Sequence, residues 1–168
     1  MRIIAAMTAV LAVLAISSAT PAAAETGVSS GKTYSVTVSS IQGTTTDRLG
    51  TWDAKIVELS GGDPAVVEAF NHSSRVAAQE QIDKVKTESN PGEQWNFESN
   101  GQVAFRSIAV GQLILGTHYY GAHPTSYIGT VVIDSRSAQP IMLADLFTNE
   151  QAGLERLSEL TGAEPRAE

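Results

Sequence analysis

From Pro64 to about Lys86 the side chains Val67, Phe70, Ser74, Ala78, Ile82 and Val85 recur at spacings of three and four. Only a helix gathers that spacing into one stripe, while the charged residues fall mostly elsewhere. The stripe is roughly five turns long at 3.6 residues per turn, so it demands an equally long apolar surface to lie on. Its ends are marked. Asp63 can accept from the free N–H groups of the first turn, and Pro64 suits the first helical position. Glu88 to Gly92, with Asn90-Pro91-Gly92, breaks it.

Strand patterns stand on both sides. In Lys32–Ser40, Tyr34, Val36 and Val38 alternate with Ser35, Thr37 and Ser39, the period of a half-buried strand. Gly43 to Gly50 is a loop. In Thr51–Leu59, Trp52, Ala54, Ile56 and Glu58 share one face, with Val57 and Leu59 on the other. After the helix, Gln94–Glu98 reads as a short strand and Ser99-Asn100-Gly101 as a tight turn. Gln102–Tyr120 then reads as one bent strand or two, with Gly111 and Gly116 as sites for bulges. Gly121 to Thr125 is a loop, and Ser126–Asp134 alternates again. A last helix starts at Thr148, where Thr148 and Gln151 match a capping box; Leu154, Leu157 and Leu160 give it an apolar side, and Gly162 suits its C-terminal cap. The order strand, strand, helix, strands, helix predicts an α+β fold, a mostly antiparallel sheet with helices packed on one face.

The N-terminus carries the three parts of a secretory signal in order. Met1 and Arg2 supply the positive start, Ile3–Ile16 the apolar run with only Thr8 polar, and Ser17–Ala24 a small-residue end in which Ala22-Ala23-Ala24 fits the cleavage rule. Residues 1–24 are therefore expected to be removed before Glu25. The apolar run falls short of the ~20 residues of a spanning helix, so no membrane span is expected after cleavage. The protein is placed outside the cytoplasm, released or held in the wall. Glu25 to Gly31, small and polar, reads as a flexible arm; residues 25–50 are thus arm and first strand, and 51–168 the domain. Small exported domains often rely on disulfides, but this chain has no cysteine and is long enough to bury a core without them. It must hold together by packing.

The formal charge of −7 becomes one unit more acidic once Arg2 is removed. Phosphate backbones and anionic lipid are disfavoured, and a basic partner is attracted. Nucleic acid is not expected.

Groups for chemistry are sparse. There are three histidines. His72 reads as a solvated helix residue. His118 and His123 flank a loop and could reach one metal ion, but a metal site needs further ligands and supporting partners, and no H-E-x-x-H motif, His-x-His pair or cysteine supplies them. The competing reading is structural: the His123 ring bonds backbone groups and fixes the turn before Pro124. No G-x-S-x-G elbow and no phosphate-binding glycine loop occurs. Asp134 and Asp145 could be paired for glycoside cleavage, but no spacing joins them, and Asp145 reads as a turn cap. No cofactor is expected.

One stretch is more specific. Tyr119-Tyr120-Gly121-Ala122-His123-Pro124, then Tyr127, then Val131-Val132-Ile133-Asp134, then Pro140 to Phe147 ending in Leu143-Ala144-Asp145-Leu146-Phe147, resembles the pattern Tyr-x-Gly-Gly-Ala-His-Pro, a strand ending in Asp, a turn, and Leu-x-Asp-Leu-Phe. That pattern belongs to the family of the C-terminal extracytoplasmic domain of the anti-sigma factor RsiV, with secreted immunogenic proteins of mycobacteria and a domain ahead of some peptidoglycan deacetylases. The resemblance covers about Thr51 to Leu160. It departs in two places: a single Gly121 follows Tyr120 where the family has two glycines, and the chain ends at Glu168 where family members add further strands. The second departure implies a sheet with an open edge, which invites pairing with another chain, or a fragment that folds poorly.

The resemblance implies a binding module rather than an enzyme, since RsiV-type domains bind lysozyme. The expected function is that of a secreted, non-enzymatic binding protein of the cell envelope, recognising a protein such as lysozyme or a cell-wall glycan. The expected ligand-binding residues are Tyr119, Tyr120, His123 and Tyr127, whose aromatics could stack on sugar or anchor a protein interface; packing of the sheet end is the competing reading. The alternative function is a cell-wall hydrolase or metal-dependent enzyme using His118 and His123.

Overall fold

The computed structural model describes residues 25–162, so the leader Met1–Ala24 lies outside the described residues. Six strands form one sheet in sequence order: β1 (Glu25–Ser29), β2 (Lys32–Thr44), β3 (Gly50–Gly61), β4 (Trp95–Phe105), β5 (Ala109–Tyr120) and β6 (Thr125–Asp134). Every neighbouring pair is antiparallel except β3–β4. Parallel neighbours need a long crossover, and α1 (Pro64–Glu88) provides it. A 3-10 turn (Leu143–Leu146) and α2 (Glu150–Gly162) follow. The α+β class with a mostly antiparallel sheet is as expected, and no helix among the described residues is long and apolar enough to cross a membrane.

Helix α1 begins where its cap residues stand: Asp63 accepts from Ala65 N at 3.0 Å, with Pro64 at the first position. Its buried side is Val66, Phe70, Ser74, Ala78, Gln81, Ile82 and Val85, so the stripe starts at Val66 rather than Val67. The first half packs with Tyr34, Val57, Leu59, Val110 and Ile133. The second half packs with Ala54, Ile56, Trp95, Phe97 and Tyr127. Ile56 and Val57, neighbours in sequence, are both buried. Strand β3 pairs with β4 only as far as Ala54; beyond it the β2–β3 ribbon turns its other face inward, and Tyr34 stacks on Phe105 at 6.1 Å. Val38, expected inside, is exposed.

Five further sequence expectations are corrected. Glu25–Ser29 is an edge strand, not a flexible arm: Ser30 and Gly31, at φ 48° and 71°, make the tight two-residue turn of a hairpin, and the buried Ser29 Oγ lies 2.7 Å from Arg106 O and 2.6 Å from Ser135 Oγ. Ser99-Asn100-Gly101 is not a turn, because β4 runs straight through it; Gly101 is there because a Cβ would sit 2.7 Å from Val57 and from Gln112. Gly111 and Gly116 mark no bulge, as the register of β5 is unbroken on both sides, and Gly116 instead admits Phe97 and Gln81 close to the sheet. The last helix is capped by Asn149, which accepts from Ala152 N at 3.0 Å, rather than by Thr148. It meets the 3-10 turn rather than lying on the sheet with α1.

Among the described residues β6 has a strand on one side only. At its far end Pro140 bridges Ile133 and Ile141 N donates to Val132 O at 2.8 Å. Asp145 accepts from Met142 N at 2.8 Å, a turn cap as its sequence position suggested.

Candidate functional site

Alternation along β5 divides the aromatic loop motif into two sides. Ile114, His118 and Tyr120 share the side facing α1, and Tyr119 the opposite side. His118 is buried. Its ring stacks on Tyr120 at 5.5 Å and meets the Trp95 edge at 5.7 Å. Ser89 Oγ donates to Val85 O at 2.7 Å and lies 3.0 Å from His118 Nε2; its single proton being used, it accepts from the ring. Tyr127 is buried and its hydroxyl donates to Glu88 at the helix end. Burial, then that carboxylate, pushes the Tyr127 phenol up to about 12. Tyr120 OH accepts from Asn90 N at 3.2 Å. Of the four residues expected to bind ligand, Tyr120 and Tyr127 therefore clamp the end of α1 to the sheet, the packing alternative. Tyr119 and His123 face solvent.

His118 and His123 do not meet in one accessible site, since one is sealed in the core and the other exposed in the turn. No group of three or more His, Cys, Asp or Glu among the described residues could hold a metal ion. The His123 ring makes no hydrogen bond to the described residues, so it does not fix the turn, in which Gly121 takes a positive φ of 65°. Asp134 is engaged by Arg136 at 2.7 Å, which holds its carboxyl down to about 2.

Burial pulls the His118 imidazole below its ordinary value, against a smaller opposing pull from Glu88. A depressed value in the fold means the unfolded chain binds more protons below the ordinary histidine value of about 6.5. Stability is then full above that pH and falls as pH drops through the window. The melting temperature should decline between pH 7 and pH 5, and most of the decline should vanish in His118→Gln; a slope untouched by the substitution would put the linkage elsewhere.

On the opposite face, Thr51, Asn96 and Tyr119 stand in one row across β3, β4 and β5. With Arg48, Leu49 and Gln94 from the flanking loops and the strand residue Trp95, they line an open cleft of about 330 Å³. Asn96 Nδ2 donates to Thr51 Oγ1 at 3.1 Å, while its Oδ1 is buried with no hydrogen-bond partner among the described residues. Tyr119 is 49% exposed. The sequence singled out Tyr119 alone. Asn96 is one polar position in an alternating strand, and Arg48 one residue of a polar turn, so no signal in the chain joined them.

Further along the same face, Leu115 and Ile128 are cross-strand neighbours on β5 and β6. They are exposed at 42% and 73%, with Val132 nearby. Helix α1 covers the other side only.

No protein-family model matches the sequence, and no curated protein matches it. Among solved structures, the crystal structure of a DUF3298 family protein from Pseudomonas aeruginosa PAO1 is similar, with a TM-score of 0.52 and 14% identity over 77% of this chain. The match spans 65% of that protein's length. At such identity the likeness is one of fold.

Proposed function

We propose that this chain is a secreted, non-enzymatic binding protein of the cell envelope whose partner is a basic protein such as lysozyme. The observation that carries the reading is the uncovered apolar strip on the outer face, Leu115 with Ile128 and Val132. Exposed apolar surface on a rigid sheet is a common mark of a protein interface. The net charge of −7 favours a basic partner and speeds its encounter. The resemblance of Tyr119–Phe147 to RsiV-type domains points the same way, and the signal-like leader supports an encounter outside the cytoplasm. A hydrolase using His118 and His123 has less support, because His118 is 2% exposed.

Titration of the purified protein with lysozyme should give saturable heat that survives physiological salt. Ile128→Asp, on an exposed position, should keep the melting temperature and weaken binding at least tenfold, about 1.4 kcal/mol. Heat seen only at low salt, or none, would remove lysozyme as the partner.

A cell-wall glycan is the second reading. The cleft of Tyr119, Asn96 and Arg48 favours it, since an aromatic face beside planar polar side chains suits a sugar ring.

A further inference from the structure

We propose that the cleft at the outer end of β3, β4 and β5 binds an acidic sugar, its carboxylate on Arg48 and its ring against Tyr119. The inference rests on the glycan reading and does not need the protein reading.

The first observation is the backbone of Arg48. Its φ is 63°, a conformation that glycine adopts freely and that a long side chain disfavours. The turn around it is secured by other groups. Arg48 N donates to Thr45 O at 2.9 Å, Gly50 N to Thr45 Oγ1 at 2.8 Å, and Leu49 N to Asp47 Oδ1 at 3.0 Å. Glycine would serve the turn better. The exposed guanidinium forms no ion pair among the described residues, so the fold keeps a strained residue whose side chain it does not use. Strain of that kind gathers at ligand sites. Asp47, the adjacent carboxylate, is turned back on Thr45 at 2.5 Å and on Leu49 N.

The second observation is Asn96. One end of its amide is paired with Thr51 Oγ1 and the other is buried without a partner. Reversing the amide would leave a buried Nδ2 donor without a partner instead. Buried polar atoms without partners are rare in native proteins, and a donor from a ligand relieves the cost. A sugar hydroxyl can donate or accept, so it serves either orientation of the amide.

The third is the geometry of the row. Tyr119 stands beside Asn96 in register, with its ring exposed. It offers a flat apolar face within the cleft that Arg48 also lines. An arginine fork matches a carboxylate with two parallel hydrogen bonds. The volume of about 330 Å³ lies at the small end of ligand pockets and suits roughly one or two sugar rings.

The test compares two disaccharides by calorimetry on the purified protein: N-acetylglucosamine linked to N-acetylmuramic acid, which bears a carboxylate, and neutral diacetylchitobiose. The acidic one should bind at least tenfold tighter. Arg48→Gly should melt no lower than the parent, because the turn gains its preferred residue, yet lose the discrimination. Tyr119→Ala should weaken both ligands. Equal affinity for the two sugars, or an Arg48→Gly protein that still discriminates, would overturn the acidic assignment and leave the glycan reading standing. Binding of neither sugar would overturn both, with the lysozyme titration deciding the protein reading separately.

Discussion

Replacing Phe70 with alanine should lower the unfolding free energy by about 3–5 kcal/mol, the usual cost of removing a buried aromatic ring from a packed core. Phe70 is fully buried. Its ring lies in the cluster that joins the first half of α1 to Val57 and Leu59 of β3, Val110 of β5 and Ile133 of β6. Those contacts tie the crossover helix to both halves of the sheet, so the lost ring leaves a cavity that no single element can close by shifting. A domain typically has only about 5–15 kcal/mol to lose, and the chain has no disulfide to hold the unfolded state in check. The effect should appear in urea as a large drop in midpoint with an unchanged slope, the signature of lost stability without a new denatured state. Leu154→Ala on α2, where the side chain is 38% exposed, should shift the midpoint little. A Phe70→Ala cost below about 1 kcal/mol would mean that α1 is not docked on the sheet as described.

Phe70 was legible in the sequence, and so was most of α1. Local signals and long-range packing agree there: a cap residue, a proline, and spacings of three and four that find an apolar surface. The long strands were legible for the same reason, since alternation at Tyr34 and Val36 is also alternation between core and solvent. Where the two levels disagree, the sequence misleads. Asn100-Gly101 has the chemistry of a turn, yet Gly101 is used to let Val57 and Gln112 approach. Glu25–Ser29 has one apolar residue, Val28, and that one is exposed; its strand character comes from β2 and from Ser135, far away in the chain. The parallel pairing of β3 with β4 leaves no local mark at all.

The candidate site divides along the same line. Period two could have separated Tyr119 from His118 and Tyr120 once the inward face of β5 was fixed by Ile114. Read as one block, the motif hid that half its aromatics belong to the core. Arg48 and Asn96 join Tyr119 only through sheet register, and the left-handed backbone of Arg48 is set by the turn around it rather than by its own preference.

Trp95 links the core to that cleft, and Trp95→Ala should be as costly as the loss of Phe70, about 3–5 kcal/mol. The indole is 7% exposed and stacks on Trp52 at 6.2 Å with the planes 14° apart. It meets the His118 ring edge-on and lies across Gly50, where a Cβ would come within 2.1 Å of it. The glycine and the ring are register partners on the parallel β3–β4 pair, so one has no side chain because the other fills its place. Truncation would empty a space that Gly50 cannot fill. Trp52, with Lys86 Nζ 4.2 Å over its ring, would lose its stacking partner, and His118 would lose one wall of its enclosure. Two readouts separate this substitution from Phe70→Ala. The dependence of stability on pH below about 6.5 should flatten in Trp95→Ala, since a more hydrated His118 takes up its proton more readily in the fold, whereas it should persist in Phe70→Ala. Sugar binding should also weaken in Trp95→Ala at temperatures where the protein is still folded, because Trp95 lines the cleft next to Asn96 on the strand that carries it. Retained sugar affinity in a folded Trp95→Ala protein would show that the cleft does not depend on the core beneath it.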